Sequence, residues 1–185
     1  MTTPLLTRVD LAGLSPAGWR RLTRRSPVPD PLVAEQAAAI CRQVATGGDA
    51  AMTELSGRFG GGWRRVEPAE SGLALSELDP AVRASLQRAI DNVRTFHEAQ
   101  IPVPTTVTTS PGVEITRTWQ PLRRVGAYVP GGKAVYPSTA IMTVVPAVVA
   151  GVEEVVVVSP EGPDGDLRPV LLAACKLAGA TEVWA

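Results

Sequence analysis

Arg124-Val-Gly-Ala-Tyr-Val-Pro-Gly-Gly-Lys133, an apolar run that closes on a proline and two glycines, is the stretch from which the fold is read. Val125 to Val129 has the composition of a strand, and Pro130-Gly131-Gly132-Lys133 is the turn that leaves it. Downstream, Ser138 is placed to cap a helix through Ile141, Met142, Val145 and Val149 to Gly151, with Pro146 expected to kink or interrupt it. Val155-Val-Val-Val158 reads as a fully buried strand, Asp166 to Ala178 as a helix stopped by Gly179, and Thr181 to Trp184 as a third strand. Strands alternating with helices are the grammar of a parallel sheet covered by helices, here an incomplete βαβαβ.

In open α/β sheets ligands sit at the carboxyl ends of the strands, which makes Tyr128 to Lys133 the place to look for a site. Glycines let a ligand approach the backbone, and amides exposed there can face a phosphate. The turn lacks the GxGxxG order of the common dinucleotide loop, so a ligand-binding turn and a plain turn both stay open.

Upstream of Arg124 the pattern changes. Thr105 to Thr109 and Val113 to Trp119 alternate or are β-branched around Ser110-Pro111-Gly112, which predicts a β-hairpin. Before it, Asp79-Pro80 starts a long helix to about Gln100, with Val82, Leu86, Ala89 or Ile90, Val93 and Phe96 or His97 as its buried stripe. Earlier still, Asp30 and Pro31 open a helix ending at Gly47-Gly48. Asp49 caps a shorter one closed by Gly60-Gly61-Gly62, and Ser15-Pro16 opens a helix through Arg25. The fold class is therefore α/β: a helical N-terminal region with a β-hairpin, then the start of a Rossmann-like parallel sheet.

Composition narrows the partners. Lysine plus arginine equals aspartate plus glutamate at 18 each, so no whole-chain field draws in nucleic acid or an anionic membrane, and a small molecule is the expected partner. Arg20, Arg21, Arg24 and Arg25 read as a solvated face, because only Lys133 and Lys176 are lysines and arginine is the usual cation of this chain. No signal segment follows Met1 and no stretch is apolar enough to span a bilayer, so the expected location is cytoplasmic. Cys41 and Cys175 have no CxxC spacing and read as small apolar helix residues. His97 is the sole histidine, and zinc wants three or four ligands, so a structural role near the helix end is expected for it.

The segment Arg124 to Thr139, with Met142, Pro146-Ala147 and Ala150-Gly151-Val152, resembles the amino-terminal half of the histidinol dehydrogenase signature. Gly48-Asp-Ala-Ala51 with Leu55 and Arg58-Phe59, then Phe96-His-Glu-Ala-Gln100, resemble further blocks of that family in the same order. The resemblance implies a homodimeric enzyme of histidine biosynthesis that oxidises L-histidinol to L-histidine through the aldehyde, with NAD as oxidant and zinc holding the substrate. It places the zinc ligands and proton-transfer residues beyond position 185, so no catalytic or metal residue is assigned in this chain, which by itself is expected to be inactive. Tyr128 matches the family tyrosine that touches NAD, with Pro130, Gly131 and Gly132 lining the same cleft.

The domain division that goes with it is an N-terminal arm (1–26), the leading part of a first domain (27–123) and the start of an NAD-binding domain (124–185). The alternatives are a noncatalytic binding or assembly fragment and a related dehydrogenase for another polar alcohol. A strand reaching its end at Ala185 is expected to leave a sheet edge unpaired, and with it marginal solubility.

Overall fold

The computed structural model describes residues 9–23, 31–131, 134–162 and 164–185. The chain forms two compact units, Met1–Ala51 and Met52–Ala185. In the first, α1 (Pro16–Thr23) is capped by Ser15, whose Oγ accepts from the Gly18 N–H at 3.1 Å. Next, α2 (Pro31–Phe59) breaks at Gly48, whose φ of 53° and ψ of −137° suit glycine alone, so the two helices expected around Gly47-Gly48 are the two stretches of α2. The expected cap Asp30 and the arginines Arg24 and Arg25 lie outside the described residues.

In the second unit, α3 (Pro68–Ser76) was not foreseen: it is only nine residues long with no regular apolar stripe, and its start rests on a capping box between Glu67 and Glu70. The predicted long helix is α4 (Pro80–Glu98), with the Asp79 side chain accepting from the N–H groups of Ala81 and Val82. Leu86 and Ile90 are buried, but Val82 and Phe96 at the ends of the predicted stripe are exposed. The hairpin is β1 (Thr105–Ser110) against β2 (Val113–Arg117), antiparallel and exposed on both faces.

The parallel sheet has the order β3 (Arg124–Tyr128), β4 (Glu154–Val158), β5 (Glu182–Trp184). Its crossovers are α5 (Pro137–Val149) and α6 (Pro169–Ala178). Both helices begin at a proline, whose fixed φ suits the first helical position; hence Ser138 lies inside the first turn instead of capping it, and Asp166 to Arg168 remain loop. Pro146 sits within α5 and does not end it. Gly179, at φ 99°, closes α6 as expected.

Alternation then sorts the strands. Val125, Ala127, Val155, Val157 and Val183 face α5 and α6 and join the core with Ile90, Ile141, Val144 and Leu171. The other face carries Arg124, Tyr128, Val158 and Trp184, so the valine run is not buried throughout: Val155, Val156 and Val157 are, while Val158 is 40% exposed. The expectation of an unpaired edge at Ala185 is also overturned. Arg64 and Ala185 exchange N–H···O bonds of 3.2 and 2.9 Å, and the Val66 N–H donates to the Val183 carbonyl at 2.9 Å, so residues 64–66 lie antiparallel along the outer edge of β5. Among the described residues the free edge of the sheet is that of β3.

Candidate functional site

The expected turn does lie at a strand terminus. Tyr128 ends β3 and is 65% exposed, while the next residue, Val129, is wholly buried and its N–H donates to the Val158 carbonyl at 2.9 Å. Parallel register pairs Tyr128 with Val158 and Val158 with Trp184, so three side chains stand in a row at the carboxyl ends of the strands, on the face that the helices leave open. At the end of the row Trp184 stacks on Trp63, with ring centroids 4.4 Å apart, and its indole N–H donates to Glu182.

Beside this row the turn after β3 meets the loop after β4. A Cβ on Gly131 would fall 2.5 Å from the Pro160 carbonyl oxygen and 3.0 Å from Ser159 Oγ. Glycine is thus required by the close approach of the neighbouring loop, a reason that the sequence did not supply. Pro130 is exposed at the mouth of a crevice of about 10 Å³ lined also by Gly131, Ser159, Pro160 and Arg168. Gly132 lies outside the described residues.

Ion pairs fix the far side of that loop. Arg64 meets Glu70 at 3.2 Å, Asp166 at 2.9 Å and Glu161 at 3.9 Å, and Arg168 meets Asp164 at 2.9 Å. Burial by itself lowers the Arg64 pKa, but the carboxylates of Glu70 and Asp166 outweigh it and raise it above the ordinary value. These pairs are partly exposed, so their contribution is positional more than energetic.

A larger apolar groove of about 610 Å³ is lined by Ile101, Trp119, Leu122, Pro146 and Val149, with His97 at its edge. It borders the last turn of α5, at the amino ends of the strands, which is the wrong end of a parallel sheet for a cofactor. His97 closes α4, its ring edge-on to Phe96 at 5.5 Å. Among the described residues no group of three or more His, Cys, Asp or Glu side chains could hold a metal ion, so the donor set does not fit zinc. Burial pushes the Cys175 thiol up to about 12, leaving it inert as a nucleophile, whereas Cys41 is exposed and is not the buried apolar residue expected.

The profile of the histidinol dehydrogenase family matches residues 23–185. Among curated relatives, the histidinol dehydrogenase of Methanosarcina barkeri (strain Fusaro / DSM 804) is 42% identical over 183 residues, covering 94% of this chain and 41% of its own length. That of Nocardia farcinica (strain IFM 10152) is 43% identical over 187 residues, covering 97% of this chain and 42% of its own. The chain thus spans about two fifths of the length of the curated relatives it matches. In fold it is similar to the crystal structure of histidinol dehydrogenase from Elizabethkingia anophelis, with a TM-score of 0.76 at 22% identity, over 92% of this chain and 40% of that one.

Proposed function

Because the chain belongs to the histidinol dehydrogenase family, we propose that it supplies one wall of a nicotinamide-dinucleotide cleft for the oxidation of L-histidinol to L-histidine in two steps through the aldehyde. The observation that carries this is the exposed Tyr128 at the carboxyl end of β3, in register with Val158 and Trp184 on the open face of the sheet. An aromatic and apolar row of that kind offers a flat surface to a heterocycle, and stacking on a ring is worth about 1–3 kcal/mol per base. When bound, NAD accepts the hydride. What these residues do is hold it: Tyr128 takes a ring of the cofactor, while Pro130 and Gly131 bound its path with backbone.

The proposal extends to the organisation. Residues 1–26 serve as an arm, 27–123 as the leading part of a first domain and 124–185 as the start of the cofactor domain, in a cytoplasmic homodimer with no nucleic-acid or membrane partner. No helix among the described residues is long and apolar enough to cross a membrane. Zinc is the family metal, but among the described residues no group of three or more His, Cys, Asp or Glu side chains could hold it.

Two results are expected. The purified chain binds NADH, seen as energy transfer from its tryptophans, and Tyr128→Ala weakens that binding about tenfold, the equivalent of one lost stacking contact. Equal binding by the variant would remove Tyr128 from the cleft. Mixed with L-histidinol and NAD, the 185 residues alone produce no NADH, since they include no set of metal-holding side chains among those described. Turnover above the buffer rate would refute that.

A further inference from the structure

We propose that the Ser159 hydroxyl is a ligand-binding group of the same cleft, kept for a single ribose hydroxyl of the dinucleotide; this rests on the cofactor role proposed above. Ser159 is the first residue after β4 and is 1% exposed. Its N–H donates to the Trp184 carbonyl at 3.1 Å, so the backbone holds it in place without help from the side chain. Among the described residues the Oγ has no hydrogen-bond partner. A buried hydroxyl in that state is costly, and alanine would pack as well, so the oxygen calls for an explanation in something that arrives later.

Geometry selects the group. Oγ points at the bare α-carbon of Gly131, where a Cβ would come within 3.0 Å, and the crevice beside it measures about 10 Å³. That is room for roughly one oxygen atom and excludes a phosphate or a heterocycle. Charge does not oppose this. Among the described residues lining the crevice, Asp166 is paired with Arg64 and Arg168 with Asp164. A neutral O–H, able to donate and accept, suits a lining whose described charges are already paired. Oγ is sealed in this arrangement, and Gly131 adds no side chain of its own to the contact between the two turns.

A trapped water offers the same chemistry, and the experiment separates the two. The chain and its Ser159→Ala variant are titrated with NADH and with analogues lacking the 2′- or 3′-hydroxyl of either ribose. Ser159→Cys, nearly the same shape with a feeble hydrogen-bonding group, provides a second variant. The expected result is NADH binding about fivefold weaker in both variants, with an unfolding midpoint no lower than that of the parent. One deoxy analogue loses the same factor on the parent and nothing further on the variants. Unchanged NADH affinity with a lowered midpoint would mean that Ser159 holds a water and overturn the proposal, leaving the cofactor role intact. Equal loss for every analogue would overturn it too, by making the effect a general distortion. No NADH binding by the parent chain would sink both the cofactor role and this assignment.

Discussion

Val66→Pro is expected to lower the stability of the Met52–Ala185 unit by about 3 kcal/mol or more and to make the chain aggregate. Val66 is 4% exposed within the core, and its N–H donates to the Val183 carbonyl at 2.9 Å on the outer edge of β5. Proline removes that donor, strands the carbonyl, and replaces a packed valine. Once residues 64–66 are released, the edge of β5 is open to pairing with another molecule. Urea unfolding combined with light scattering checks this. A midpoint equal to that of the parent, with no scattering, would show that the edge does not depend on this segment.

Gly131→Val is expected to cost about 2 kcal/mol of stability and to weaken NADH binding at least tenfold. The physical cause is steric: any Cβ at this position meets the Pro160 carbonyl oxygen at 2.5 Å, and backbone cannot swing aside as a flexible side chain does. The two turns are pushed apart, and the row from Tyr128 to Trp184 loses its flanking wall. Gly126→Ala is the control. On β3, which leads into the turn, its Cβ meets nothing within 4 Å, and its stability should stay within about 0.5 kcal/mol of the parent. If both glycine variants behave alike, the contact between the turns is not what sets the cleft.

The βαβαβ order was legible in the sequence because each element carries its own local signal. The valine run, the glycine after α6, the Asp79 cap and the Pro111-Gly112 turn between β1 and β2 all act within a few residues of themselves. The turn from Tyr128 to Lys133 could be located for the same reason, at the end of a strand beside glycines, whereas Tyr128 itself was singled out only by the family resemblance. What escaped depends on partners far along the chain. The segment 64–66 has no strand pattern of its own and takes its conformation from β5, more than a hundred residues away. Helix α3 is too short and too weakly patterned to announce itself, and it is held by packing on α6.

The sequence by itself determined the βαβαβ order and the balance of charge, and it pointed to the turn from Tyr128 to Lys133 at a strand terminus. Tertiary structure alone decided which face of the sheet stays open, why residue 131 cannot carry a side chain, and that the Ser159 hydroxyl is buried without a partner among the described residues. The division has a simple cause: periodicity and capping are written in neighbouring residues, whereas close approach and unmet hydrogen bonds exist only between segments that folding brings together.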